Sequence, residues 1–399
     1  LKDIRTKNKN LISELPIPPE GNYGWPWTEE FTFPYKNEIK EYPRITIVTP
    51  SFNQGKFIEQ TIRSVLLQNY PNLEYIIIDG GSTDGTAEII KKYDRWISYW
   101  VSEKDNGQSD AINKGIGKGT GEIFNWINSD DYYSKDTFQK ISETFTNSGA
   151  DVIIGNYRYF EDENESKSKD NGKTIDFRLR ETLEETIAFV LLNQPSSFFK
   201  LNLIKELGGL NSDLNFVMDQ DIWKKYLFRY GQKNVSIVDF MFTHFRLHSD
   251  SKTFMNEFNS EYMNIYYSIA VQTDMPKHAE FLKNIYGNGF RKNYIFNFEL
   301  TRESIELSRR VINSLIYYKA RIAFTSGDIT FFKKCIEVAD PLYLNKTQRN
   351  YLMKIKIKSF LKEMKLEPLL NLWTSITGNK VKNNNDSADL ELEKSKENN

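Results

Sequence analysis

Between residues 44 and 155 the apolar positions keep switching period. RITIVTP is a short β-rich run that stops at Pro50. From Gly55 to Gln68, the residues Phe57, Ile58, Ile62, Val65 and Leu66 recur at helical spacing. LEYIIID reads as a buried strand ending at Asp79, Thr83 to Tyr93 as a helix, and WISYWVS as another strand. Gly107 to Gly115 fits a short helix. GEIFNWINSD is a strand running into acids, Asp136 to Phe145 is the next helix and ADVIIGNY the next strand. Repeated strand, polar turn and helix units predict an α/β fold, with a mostly parallel sheet covered by helices. Right-handed crossovers put the loops after the strands on one edge, and ligands bind at that edge.

The pattern loosens on either side. Residues 1 to about 42 form an irregular leader. Its segment PIPPEGNYGWPWTEE holds four prolines and two glycines, which argues against a regular helix or central strand. Trp25 and Trp27 are expected to pack this arm on the body. Beyond residue 155, EDENESKSKDNGK reads as a solvated loop with no catalytic role. LEETIAFVLLNQPSSFF suggests a helix followed by a strand, and DQDIWKKYLFR a helix with Ile222, Trp223 and Leu227 near one face. From about residue 256 helical patterns dominate. YYKARIAFTSGDITFFKKCIEVADP reads as two short helices joined at Gly327-Asp328, with Ala320 and Ala323 permitting close packing. The segment from Gly378 has a disordered composition. The expected parts are therefore 1–42, 43–255, a helical 256–377 and a tail, 378–399.

Composition narrows the function. Lys plus Arg total 53 against 54 Asp plus Glu, so a globally basic nucleic-acid binder is not supported. One cysteine, Cys335, excludes an intrachain disulfide framework and a thiolate-rich zinc site. No stretch approaches the roughly 20 apolar residues that span a bilayer. The N-terminal residues lack the apolar segment of a signal peptide, so a cytoplasmic location is expected. Charge is uneven, however. Residues 301 to 370 hold 14 Lys plus Arg against 7 Asp plus Glu. MKIKIKSFLKEMKLEP is basic and partly amphipathic. It reads either as a solvated helix face or as a peripheral contact with the anionic inner face of a membrane.

The chemistry lies between Thr49 and His248. Pro50, Ser51, Asn53 and Gly55 make a polar loop between strand and helix, where backbone N–H groups can meet a phosphate. Asp79 ends a buried strand, and a carboxylate there can accept hydrogen bonds from a base edge or ribose. Asp84 reads as a turn or helix-start residue. In WINSDD, Asn128, Asp130 and Asp131 follow an apolar strand. Adjacent carboxylates there are costly unless solvated or neutralised by a cation. Mg²⁺ commonly uses one or two carboxylates plus substrate phosphates. In MDQDIWKK, Asp219 and Asp221 stand at a helix start, where one can cap and the other serve as a base. His248, with Arg246 and Lys252, fits a loop closing over a metal-diphosphate complex.

Seven segments in this order resemble glycosyltransferase family 2: TPSFNQGKFIEQTIRSVLLQ, IIIDGGSTDGT, SEKDNGQSDAINKG, NWINSDD, QPSSFF, ELGGLNSDLNFVMDQDIW and FRLHSDSKT. They cover about residues 43 to 255. The resemblance implies a Rossmann-like GT-A fold and an inverting nucleotide-sugar transferase. It implies that Pro50, Ser51 and Asp79 hold the nucleobase and ribose. Asp110 and Lys114 would line the nucleotide-sugar pocket. Asp130 would ligate Mg²⁺ or Mn²⁺, and Asp131 would contact the metal or the donor sugar. Arg246 and His248 would face the diphosphate, His248 also reaching the metal. Asn128 stands where the family's metal motif often has its first Asp. Asp219 matches the catalytic base, but Met218 replaces the acid that usually precedes it, so Asp221 stays open as the alternative. Gln194 and Pro195 resemble residues beside the acceptor cleft, with Trp223 on the same side.

The implied reaction is sugar transfer to a glycan or lipid-linked acceptor in bacterial surface polysaccharide synthesis. UDP-sugars are the default donor, with GDP- and dTDP-sugars as alternatives. Two other readings stay open: a nucleotidyltransferase on a related fold, and a non-catalytic binding or scaffold protein. The C-terminal helices would bind an acceptor, pair two copies of the chain or complete the fold.

Overall fold

A computed structural model of the chain describes residues 10–35, 41–161, 174–175, 177–248, 257–286, 294–366, 368–369 and 375. Lys252, the acidic loop after Glu161 and the tail from Gly378 lie outside the described residues. The chain divides into two compact units. One is Leu1–Leu179 with Leu191–Ser251; the other is Arg180–Val190 with Lys252–Asn399.

The first unit is built on β1 (Ile45–Ser51), α1 (Ile58–Leu66), β2 (Leu73–Asp79), α2 (Thr86–Lys92), β3 (Tyr99–Ser102), α3 (Gln108–Lys118) and β4 (Ile123–Trp126). It continues through β5 (Tyr132–Tyr133), α4 (Thr137–Ser148), β6 (Val152–Glu161) and β7 (Thr174–Ile175). The helix α5 (Leu183–Phe189) belongs to the other unit. β8 (Ser197–Lys200), α6 (Leu201–Glu206), α7 (Met218–Tyr230) and β9 (Val235–Leu247) complete the first.

One sheet runs in the order β3-β2-β1-β4-β8-β6-β9-β5, with β7 on β6. The first four strands are parallel, as their spacing predicts. Every residue of β1 is buried, the mark of a strand covered on both faces. The remaining half is mixed. β8 is antiparallel to both β4 and β6, β9 is parallel to β6, and β5 is antiparallel to β9. The expectation of a mostly parallel sheet therefore holds for one half only. The reason is connectivity: β8 and β5 do not enter through a βαβ crossover, so nothing forces them parallel.

Ile45, Ile47, Ile58, Ile62, Tyr75 and Ile77 form the centre of the core of this unit. Each sealed aliphatic side chain contributes about 1.5–3 kcal/mol. α3 lies so close to β1 that a Cβ on Gly115 would sit 2.5 Å from Val48 Cγ1. The leader arm is part of this core. Leu15, Trp27 and Phe33 are buried, and Trp25 Nε1 donates to the Tyr133 carbonyl at 2.7 Å. Arg63 of α1, fully buried, holds the arm. Its guanidinium donates to the carbonyls of Pro16, Pro26 and Trp27 at 2.9, 3.1 and 2.7 Å.

The second unit is helical: α5, then α8 (Glu257–Gln272), α9 (Pro276–Tyr286), α10 (Arg302–Ser326), α11 (Ile329–Val338) and α12 (Lys346–Glu363). α10 packs against α5, α8, α11 and α12. The Gly327-Asp328 joint is present: Gly327 takes φ +86°, and Asp328 accepts from Phe331 N. The helix before it is long rather than short, because a capping box between Thr301 and Ser304 starts it at Arg302. Cys335 is buried, and burial pushes its thiol up to about 12. Among the described residues no helix is long and apolar enough to cross a membrane.

Candidate active site

The carboxyl ends of the parallel strands carry a row of polar groups. Register sets Ser51 beside Asp79 and Asp79 beside Ser102. Asp79 Oδ2 accepts from Ser82 N at 2.9 Å and from Ser102 Oγ at 2.6 Å, while Oδ1 accepts from Ser82 Oγ at 2.5 Å. Asp79 thus shapes the turn after β2, which Gly81 completes at φ +83°. Ser51 Oγ, beside it, has no hydrogen-bond partner among the described residues. Asp84 ties the two loops together. Its carboxylate accepts from Gly55 N and from Thr86 N and Oγ1. These bonds hold its pKa below the ordinary value despite an opposing desolvation cost, so Asp84 is a structural stitch.

The acidic corner forms where β4 ends and β5 begins. β5 pairs with β9 so that Tyr132 faces His244 and Tyr133 faces Thr243. Continuing this antiparallel register brings Arg246 alongside Asp130 and Asp131. Arg246 N donates to Asp131 Oδ1 at 2.9 Å, and Arg246 Nε donates to the Asp130 carbonyl at 2.8 Å. Its Nη2 donates to Gln60 Oε1, and the guanidinium lies 4.7 and 4.4 Å from the rings of Phe57 and Phe160. Two residues on, His248 Nε2 meets Asp130 Oδ2 at 2.9 Å.

Burial dominates the electrostatics here. It raises the Asp131 carboxyl well above its ordinary value, with Asp130 adding to the effect. Burial lowers Arg246 to about 10, against the pull of both carboxylates. Asp131 Oδ2 is buried with no hydrogen-bond partner among the described residues. A carboxylate oxygen left in that state fits a missing cationic or hydroxyl partner. The Asp130 carboxylate, with the His248 imidazole already in contact, offers an oxygen donor of the kind Mn²⁺ or Mg²⁺ accepts, the imidazole suiting Mn²⁺ better than Mg²⁺. Among the described residues no three His, Cys, Asp or Glu side chains cluster to hold a metal by themselves.

Asp219 and Asp221 open α7 and diverge. Asp219 is partly exposed, and its two oxygens accept from Gln220 N and Gln220 Nε2, both at 2.8 Å. Desolvation raises its pKa to about 6. Asp221 is fully buried and paired with Lys225 Nζ at 2.6 Å. Lys224 is buried between the two acids' fields, and burial lowers it to about 7. Tyr157 lies on β6, its hydroxyl 3.0 Å from that of Tyr159. Burial and its neighbour Tyr159 raise its phenol, and the charges of Asp219 and Asp131 raise it further.

The other expected residues differ in burial and in their partners. Asp110 and Lys114 lie on α3, 3.6 Å apart, and Lys114 also reaches Glu103 at 3.2 Å. Gln108, at the start of α3, donates to Asn128 Oδ1 at 2.8 Å. Pro50 lies buried at the end of β1. Gln194 is buried and donates to the Trp126 carbonyl, while the Pro195 carbonyl accepts from Asn125 and Thr243. Trp223 is sealed, stacked on Tyr226 and edge-on to Phe177. Gln60, Gln108, Tyr157 and Tyr159 escaped the sequence reading. The Tyr-Arg-Tyr alternation at 157–159 was a strand-period signal, but Gln60 looked like any polar helix residue.

Residues 46–208 match the profile of glycosyl transferase family 2. An uncharacterized glycosyltransferase of Haemophilus influenzae is 30% identical over 184 residues, which span 41% of this chain and 73% of that protein. The chain belongs to glycosyltransferase family 2. Another uncharacterized glycosyltransferase, from Rickettsia typhi, is 30% identical over 196 residues, 46% of this chain and 59% of that protein. The chain thus spans little more than half of that relative's length. The putative teichuronic acid biosynthesis glycosyltransferase TuaG of Bacillus subtilis is 38% identical over 101 residues, 25% of this chain and 40% of that protein.

Proposed function

We propose that the protein is an inverting, metal-dependent glycosyltransferase. It moves a sugar from a nucleotide-sugar, by default a UDP-sugar, to a glycan or lipid-linked acceptor in bacterial surface polysaccharide synthesis. The observation that carries the reading is the acidic corner, where Arg246 N donates to Asp131 Oδ1 and His248 Nε2 meets Asp130 Oδ2, both at 2.9 Å. The similarity to a protein named for teichuronic acid biosynthesis supports the product class. The enzyme would work in the cytoplasm, at the inner face of the membrane.

In this reading Ser51 and the turn held by Asp79 receive the nucleoside, and Asp110 and Lys114 border the donor. Asp130 and His248 would hold a divalent cation, which when bound offsets the charge of the diphosphate leaving group. Arg246 adds fixed positive charge on the same side. Asp131 would contact the cation or the donor sugar through its unpartnered Oδ2. Asp219 takes the proton of the acceptor hydroxyl, and a base near pH 6 suits that task. The hydroxyl attacks the anomeric carbon opposite the nucleotide, the glycosidic bond to the diphosphate breaks, and configuration inverts. Asp221, paired to Lys225, keeps α7 in place and takes no proton. Gln194, Pro195 and Trp223 support the acceptor wall from beneath.

The test is donor hydrolysis with a panel of UDP-, GDP- and dTDP-sugars, with and without Mn²⁺. Metal-dependent release of one nucleoside diphosphate, lost in Asp130→Ala, is the expected result. Release unchanged in Asp130→Ala overturns the metal assignment.

A further inference from the structure

The helix α12 has two apolar faces. Leu352, Ile355 and Ser359 are buried within the helical unit. On another side Met353, Ile357, Phe360 and Met364 follow one another at intervals of four, three and four residues, so they form a single stripe. Met353, Phe360 and Met364 are 59%, 58% and 55% exposed. A soluble helix has no need for this second stripe, because its core-facing side is already made.

Its borders are basic. At 100° per residue, Arg349 and Lys356 fall along one edge of the stripe, with Lys354 on the other side and Lys358 further round. From Lys346 to Glu363 the helix carries six Lys or Arg and one acid. That acid, Glu363, is paired with Lys333 at 2.8 Å. An apolar stripe with lysines on both shoulders matches a bilayer interface: the stripe enters the acyl boundary and the lysine stems reach the headgroups. The helix is too short and too charged to span.

We infer that α12 docks this protein onto an anionic lipid surface, through Met353, Ile357, Phe360 and Met364 with the flanking lysines as the electrostatic contact. Charge complementarity selects the occupant, since a second copy of this chain would present the same positive borders. The inference rests on the proposed location at the membrane. Its test uses no sugar donor, so its failure leaves the transfer chemistry standing.

The experiment is flotation of the full chain with neutral phosphatidylcholine vesicles and with vesicles holding about 30% phosphatidylglycerol. Phe360→Ser/Met364→Ser and Lys354→Glu/Lys356→Glu/Lys358→Glu are compared with the parent, and circular dichroism checks that each is folded. The expected result is binding to the anionic vesicles only, weakened about tenfold or more in both variants and by raised salt. A parent chain that stays in solution at low salt overturns the inference, as do two folded variants that bind like the parent. A dimer that becomes monomeric on Phe360→Ser/Met364→Ser, without vesicle binding, assigns the stripe to a second copy instead.

Discussion

Two buried arginines of the first unit have opposite surroundings. Arg63 ends in main-chain carbonyls of the leader arm and in the Tyr93 hydroxyl, a closed set of acceptors. Arg246 stands among two carboxylates, one of which keeps an oxygen without a partner among the described residues. The first arrangement is complete as it stands and fastens the arm. The second leaves Asp131 Oδ2 without a partner among the described residues. In the proposed reading the two arginines are told apart by the unpartnered oxygen beside Arg246, not by burial.

The largest expected effect belongs to the base. Asp219→Asn should lower kcat about a thousandfold, with the fold intact by circular dichroism. In the parent enzyme activity should fall as pH drops through about 6, where Asp219 gains its proton. The sign for stability is opposite. A carboxyl with a raised pKa is held at a cost once ionised, so Asp219→Asn should melt higher than the parent above pH 6 and equal it well below pH 4. A variant that is inactive and also less stable at neutral pH would make Asp219 structural.

Next come the arginines themselves. Arg246→Met should lower turnover about a hundredfold while costing about 1 kcal/mol of stability. Arg63→Met should do the reverse. It strands three carbonyls and releases the arm, at about 3 kcal/mol, with the turnover of the folded fraction unchanged. Denaturant melts beside kinetics on the folded protein read both values. Equal losses in both columns would erase the distinction.

Among the acids of α7, the smaller effect on turnover is expected at Asp221. Asp221→Asn leaves Lys225 buried without its ion pair, so the melting temperature should drop. Turnover should stay within about threefold, because Asp219 keeps its place. A loss of turnover matching that of Asp219→Asn would move the base to Asp221.

The sequence made the first half of the sheet legible because each β-rich run there ends at a polar turn and is followed by a helix-period segment. β5 was not legible: two residues, Tyr132-Tyr133, carry no period, and only the partner strand defines them. The acidic residues could be named from their positions at strand ends. Their grouping could not, since the register of β5 on β9 alone brings Arg246 and His248 to Asp130 and Asp131. In the sequence only the family resemblance favours Asp219 over Asp221, since the two stand two apart at one helix start. The turn of α7 separates them, burying one against Lys225 and leaving the other partly open. The exposed stripe of α12 was hidden by the buried stripe on the same helix, since two apolar faces blur a single amphipathic pattern.

The most direct measurement is calorimetric titration of UDP, GDP and dTDP, each with Mn²⁺, into the parent protein, Asp130→Asn and Asp221→Asn. One nucleotide should bind the parent, and Asp130→Asn should weaken it about tenfold or more, while Asp221→Asn binds like the parent. Binding unaffected by Asp130→Asn, or no binding of any nucleotide to folded parent protein, would contradict the account of the acidic corner as the donor site.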